Sequence, residues 1–383
     1  MPPQRVTYGR EDLKLCGALT APRRALYGAK VLLSEWQVLL GEQIASEFAM
    51  IIYTPPSDAK ELPVIDFTDS FSPDIAKRRA VAHEVHKAAR HTGFFYAANH
   101  GIPRQVLDDQ LAWTARLFAL PAHKKAEVDI GKSKIMRGYE RMALQTLDAG
   151  SPPDLKESFM LGRDLPPDHP YVKRGVPNHG PNQWPDLPGF REQIELYAAH
   201  VETLGKHLMR CIALSLELPE QQFDDGFDEP GCTVRLLHYP PHPADAAENQ
   251  LGAGAHTDWG SITMLLQDQS GGLEVRNADG TWIRATPIPG TFVVNLGDMI
   301  RRWTNDLYHS TLHRVLNQGN RDRYSVATFF NPNYFYRVEC LPTCRPEKGE
   351  PRYAPCTVGE HITEMFRQTY GAPKPTAAAA VAS

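Results

Sequence analysis

Residues 254–268 read GAHTDWGSITMLLQD: a histidine and an aspartate two positions apart, His256 and Asp258, lead through glycines into a run of β-forming residues. In a strand, residues i and i+2 face the same way, so the spacing predicts His256 and Asp258 on one face and Thr257 on the other. A buried carboxylate needs a cation or a hydrogen-bond donor, because leaving it unpaired forces it neutral or is strongly destabilising. With fifteen histidines in the chain, about one H-x-D is expected by chance. The pair by itself therefore fits a structural His–Asp hydrogen bond as well as two-thirds of a metal site.

The β texture around this stretch begins at Thr233 and continues through TVRLLHY, SITMLLQD, GLEV, TWIRAT, TFVVNLGD, HRVLN and RYSVATFFN. Turns are expected at Gly271-Gly272, Asp279-Gly280 and Gly297-Asp298. Many short strands at this spacing predict a sandwich or jelly-roll barrel. Earlier in the chain, PVIDF reads as a strand, followed by a helix with Ser72 as N-cap, Pro73 in the first turn and Ile75, Ala82, Val85 and Ala89 on one stripe. Gly93 ends that helix and GFFYAAN follows as a strand. A second helix is expected from about residue 190 to 218, with Ile194, Val201, Leu204, Leu208 and Ile212 on its buried face.

The expected class is α+β with a mainly β core, a jelly roll carrying an N-terminal helical region. Its expected organisation is an extension over residues 1–60, a mixed α/β region over 61–170, helical support over 171–230, the β core over 231–370 and a frayed tail over 371–383. The first 49 residues read as a dispensable extension, or Met50 as the natural start.

A 42% hydrophobic and 22% charged composition suits a globular chain with a full core. The net charge of −4 shows no basic excess, so neither nucleic acid nor an anionic membrane is an expected partner and a small molecule is. No apolar run approaches the roughly 20 residues of a membrane span. The charged N-terminus lacks an export signal, so a cytoplasmic location is expected. The six cysteines are scattered and read as reduced thiols.

His313, at the head of HRVLN, adds a second imidazole to His256 and Asp258. Two histidines and a carboxylate on a β scaffold form the facial set that holds non-haem Fe(II) with open positions, and zinc accepts the same residue types. Arg323 and Ser325 are again i and i+2 on a strand. An inward arginine needs a bidentate anion, which a core acid or the far carboxylate of a metal-chelating dicarboxylate could supply.

With these motifs in order, the chain resembles the iron(II)- and 2-oxoglutarate-dependent oxygenases of the isopenicillin N synthase-like family, whose fold is a double-stranded β-helix. The resemblance runs from about Leu62 to Phe366 and includes LPVIDF, TGFFYAANHGIP, RGYE, DLKESFMLG, RLLHYPP, VVNLGDMIRRWTN, STLHRV and RYSVATFFNP. It implies that His256, Asp258 and His313 ligate Fe(II) and form the catalytic centre. It further implies that Arg323 and Ser325 bind the distal carboxylate of 2-oxoglutarate, that Tyr239 contacts this co-substrate, and that O2 is consumed with release of succinate and CO2. Tyrosine before proline is equally a packing residue.

For the primary substrate, Arg235, Arg301, Arg302 and Trp303 stand near expected strands and could meet an anion, or be edge arginines and a core tryptophan. His309 and His361 have no partner at metal spacing. GAHTDWG and GEHITEMFRQTYG also resemble the ethylene-forming branch, which fragments 2-oxoglutarate itself. A non-catalytic 2-oxoglutarate or metal sensor and a zinc hydrolase are the alternatives of other classes.

Overall fold

The computed structural model describes residues 61–148, 151–247, 250–317 and 319–370. The expectations for residues 1–60, Met50 included, and for the tail at 371–383 lie outside the described residues.

Twelve strands build two facing sheets. The larger has the order β1-β2-β10-β7-β12-β5-β4-β3: Val64–Asp66 (β1), Phe94–Ala98 (β2), Gly138–Glu140 (β3), Glu157–Gly162 (β4), Gly231–Tyr239 (β5), Ile262–Gln267 (β7), Phe292–Leu296 (β10) and Arg323–Asn331 (β12). The smaller has the order β6-β11-β8-β9: Ala253–His256 (β6), Leu273–Arg276 (β8), Trp282–Arg284 (β9) and His313–Val315 (β11). Together they form the expected double-stranded β-helix.

Alternation of side chains divides the large sheet into two environments. Phe95, Val234, Leu236, Met264, Leu266, Val294, Val326 and Phe330 point outward into a core shared with the helices α1 (Ile75–His91), α2 (Arg104–Phe118) and α3 (Phe190–Ser215). Phe94, Tyr96, Leu237, Tyr239, Val293 and Ala327 point inward, where Ala253, Leu273, Val275 and Val315 of the small sheet meet them. The helix α3 approaches β12 closely at Gly205, where a Cβ would lie 2.7 Å from the Phe330 ring.

Several local expectations shift. The first helix is capped by Asp74, whose carboxylate accepts from Ala76 N at 2.9 Å, while Ser72 Oγ accepts from Asp74 N at 3.2 Å. Ser72 thus supports the cap rather than forming it, and Ile75 is exposed because it precedes the turn that reaches the core. The long helix ends at Ser215, and its five expected core residues are all buried. Gly297-Asp298 opens a short helix, α4 (Asp298–Trp303), instead of a strand-to-strand turn. β3 and β4, drawn from the middle of the chain, extend the large sheet beyond β5. A last helix, α5 (Val358–Tyr370), follows the barrel. Among the described residues no helix is long and apolar enough to cross a membrane.

Candidate metal and co-substrate site

His256 is the last residue of β6 and His313 the first of β11, and the two are paired across the small sheet. Asp258 corrects the expectation of a continuous strand: β6 ends at His256, and Asp258 stands in the following turn. That turn is tied to the start of α4, with Asp298 N donating to Asp258 O at 2.8 Å and Gly297 N to Ser261 O at 2.8 Å. A Cβ on Gly297 would lie 2.8 Å from Asp258 O, so the close approach requires glycine. From the other side His361 of α5 bonds Trp259 O through Nε2 at 2.8 Å, which gives this histidine a structural partner.

One candidate donor atom from each of His256, Asp258 and His313 lies within 4.8 Å of the others, with Asp258 Oδ1 3.8 Å from His313 Nε2. Nδ1 of His256 faces Gly254 O at 2.7 Å and Nδ1 of His313 faces Thr311 O at 3.2 Å. A carbonyl only accepts, so each Nδ1 carries a proton and each Nε2 is the ring nitrogen left to face a metal. Asp258 Oδ2 accepts from Thr263 Oγ1 at 2.6 Å and Asn295 Nδ2 at 2.7 Å, leaving Oδ1 for a cation.

Burial, reinforced by the neighbouring His313, pushes the His256 imidazole down to about 3, so it stays neutral. Burial opposes the charge on Asp258, but His313, His256, Thr263 and Asn295 outweigh it and hold the carboxyl below its ordinary value. Two imidazoles and one ionised carboxylate converging on one point form a donor set that fits a divalent transition metal.

Arg323, the first residue of β12, is fully buried. Its Nε donates to Gly271 O at 2.5 Å, Nη1 to Ser325 Oγ at 3.1 Å and Nη2 to Gln267 Oε1 at 3.3 Å, and its guanidinium lies 4.7 Å from the Tyr239 ring centroid. No carboxylate lies within ion-pair distance of it among the described residues. A buried cation held only by neutral groups is costly, and the missing partner is an anion. One cavity contains the triad, Arg323, Ser325 and Tyr239 together, with Phe94, Leu265 and Phe329 among its apolar lining.

Of the four residues considered for an anionic substrate, Arg235 alone lines this cavity. Its Nη2 is paired with Glu140 and donates to Gln145 Oε1 at 2.9 Å, and its Nε donates to Ser158 Oγ at 3.1 Å. Trp303 is in the core, Arg301 pairs with Asp306 at 2.7 Å, and Arg302 reaches Ala354 O at 2.8 Å, because all three belong to α4 outside the barrel. His309 is exposed.

Thr263, Asn295, Gln267 and the buried pair Lys156–Asp154 are site residues that the motif spacing did not single out. The available signal was a lone polar residue on an apolar strand, as Asn295 is in FVVNL.

A two-histidine, one-carboxylate set inside a jelly roll, with a buried arginine awaiting an anion, defines the non-haem metal oxygenase class. The comparisons agree. Residues 62–187 match the family described as non-haem dioxygenase in morphine synthesis N-terminal, and residues 230–332 match the 2OG-Fe(II) oxygenase superfamily. The 2-oxoglutarate-Fe(II) type oxidoreductase hxnY of Emericella nidulans is 39% identical, over 81% of this chain and 90% of its own. Homoarginine-6-hydroxylase 2-ODD-C23 of Glycine max is 34% identical, over 80% of this chain and 96% of its own. The crystal structure of Neurospora crassa T7H in complex with alpha-KG and thymine superposes with a TM-score of 0.71 at 32% identity, covering 81% of this chain and 97% of that one.

The chain belongs to the iron(II)- and 2-oxoglutarate-dependent oxygenases of the isopenicillin N synthase-like superfamily. It is a 2-oxoglutarate-dependent dioxygenase that uses Fe(II) and O2 to oxidise a small-molecule substrate, with release of succinate and CO2.

Proposed function

We propose that His256, Asp258 and His313 hold the Fe(II), that Arg323 and Ser325 take the distal carboxylate of 2-oxoglutarate with Tyr239 against it, and that the primary substrate is a small, uncharged, ring-bearing metabolite. The observation that carries the co-substrate assignment is Arg323: fully buried, with only neutral partners among the described residues, in the same cavity as the triad. Bound at the triad, iron supplies the activation of O2 that couples decarboxylation of the oxo acid to oxidation of a C–H bond.

The protein's own groups do the positioning. Thr263 and Asn295 orient the Asp258 carboxylate, and the carbonyls of Gly254 and Thr311 orient the two imidazoles. Phe94, Leu265 and Phe329 give the cavity an apolar wall.

The substrate class follows from charge. Lys156 and Arg235 both line the cavity, but each is already paired, with Asp154 and Glu140 respectively. A carboxylated substrate would have to break one of these buried pairs, whereas an uncharged ring meets an apolar wall and satisfied polar groups. The thymine bound by the Neurospora relative is a molecule of this kind. We place the reaction in the cytoplasm, where Cys211, Cys232, Cys340, Cys344 and Cys356, all free, would stay reduced.

The test is succinate release by protein loaded with Fe(II) and 2-oxoglutarate in air, alone and with a panel of uncharged rings, thymine first, against carboxylated rings such as benzoate. Stimulation by uncharged rings, lost in Asp258→Ala, is the expected result. Stimulation confined to carboxylated rings would overturn the substrate class, and succinate release by Asp258→Ala would overturn the metal assignment.

A further inference from the structure

A second cavity, of about 120 Å3, lies where β4 and β5 meet the end of β12 and the helix α5. None of its lining residues belongs to the iron cavity. Its walls include Arg137, Arg163, His179, Thr233, Asn331 and Tyr334.

Arg137 is 5% exposed. Its Nη2 donates to Asn178 O at 2.7 Å, its Nη1 reaches Ile135 O and Met136 O only at 3.4 Å each, and its buried Nε has no hydrogen-bond partner among the described residues. Neither Arg137 nor Arg163 has a carboxylate within ion-pair distance among the described residues. Glu229, an acid of the neighbouring β5 approach, faces His169 at 3.7 Å instead.

Two features of the surrounding chain hold this arrangement. The guanidinium of Arg137 lies against Gly162, where any Cβ would fall inside it. Gly162 is itself pinned by Asn182, which donates to Gly162 O at 2.8 Å and accepts from Gly162 N at 3.0 Å. A buried guanidinium with an orphaned N–H, beside a second unpaired arginine, is a costly arrangement that an anion relieves through charge-assisted bonds. Burial, and after it the two arginines, hold the pKa of His179 down, so an anion here would also lift that constraint.

We propose that this cavity is an anion-binding site, taking a carboxylate or phosphate group on the guanidinium groups of Arg137 and Arg163. Its volume suits a single such group rather than a whole second substrate. The site is independent of the iron and 2-oxoglutarate assignments, since it shares no residue with them.

The test uses the full chain labelled with 15N-arginine and saturated with 2-oxoglutarate, so that the iron cavity is filled. Sodium phosphate and sodium acetate are titrated separately at constant ionic strength, and the Arg137 Nε–H resonance is followed, assigned by its loss in Arg137→Lys. A saturable shift is expected with at least one probe: phosphate alone identifies a phosphoryl ligand, and acetate a carboxylate. Arg163→Gln, at a half-buried position that folding tolerates better, should weaken the titration about tenfold or more. No saturable shift in protein that still binds 2-oxoglutarate would overturn the proposal, as would a titration unchanged in Arg163→Gln.

Discussion

Thr263 Oγ1 donates to Oδ2 of Asp258 at 2.6 Å, so the first inward residue of β7 holds the carboxylate of the turn before it. Asn295 on β10 donates to the same oxygen at 2.7 Å, and Thr263 and Asn295 are register partners. Removing one of two such supports typically lowers metal affinity about 10- to 100-fold. Thr263→Val should therefore weaken Fe(II) binding by that factor while the protein stays folded. Competition against a chromogenic Fe(II) chelator measures it, and an unchanged affinity would show that Asn295 alone orients the carboxylate.

Arg323→Lys keeps the charge but loses the planar fork and its bonds to Gly271 O, Ser325 and Gln267. A lost charge-assisted bond is worth about 1.5–3 kcal/mol, roughly a 10- to 150-fold effect. The KM for 2-oxoglutarate should rise by that order, with a smaller change in kcat. Steady-state succinate release over a range of 2-oxoglutarate separates the two, and a fall in kcat at constant KM would contradict the assigned role.

His238 lies between Glu157 at 2.7 Å and Asp322 at 2.9 Å and stacks on Tyr324. Burial alone would lower its pKa, but the two carboxylates outweigh burial and raise it. Protonated His238 therefore stabilises the fold fully below its unfolded pKa of about 6.5, and this contribution disappears as pH rises through the higher folded value. The melting temperature of the wild type should fall relative to His238→Gln as pH rises through that window. Parallel curves would show that His238 contributes no such linkage.

Gly205→Ala sets two effects against each other. Alanine favours the helix by about 0.8–1 kcal/mol, but its Cβ would lie 2.7 Å from Phe330, in a core where overpacking costs about 1–3 kcal/mol. Net destabilisation is expected, because Phe330 is fully buried and has little room to yield. Denaturant unfolding measures it, and an unchanged or raised midpoint would mean that α3 can move away from β12.

Much of the site was legible because a strand's period of two ties linear spacing to a shared face. Arg323 and Ser325 follow that rule directly, and the strands from Thr233 onward fall close to their expected places. Asp258 reaches its partners for another reason: the chain leaves β6 at His256, and the turn anchored on α4 re-aims the next carboxylate. The spacing was informative, although the local conformation inferred from it was not the one adopted.

The sequence by itself determined the alternation of strands, the stripe on α3 and the shared face of Arg323 and Ser325, since each depends on residues a few positions apart, while the order of the metal and arginine motifs along the chain carried the resemblance to the oxygenase family. Only the tertiary structure decided which charges remain available. Arg235 is neutralised by Glu140, 95 residues away, whereas Arg323 and Arg137 are buried without a carboxylate in ion-pair distance among the described residues. Sheet pairing brings distant residues together at about 5 Å, and which strands become neighbours is a property of the whole packed core rather than of any local stretch.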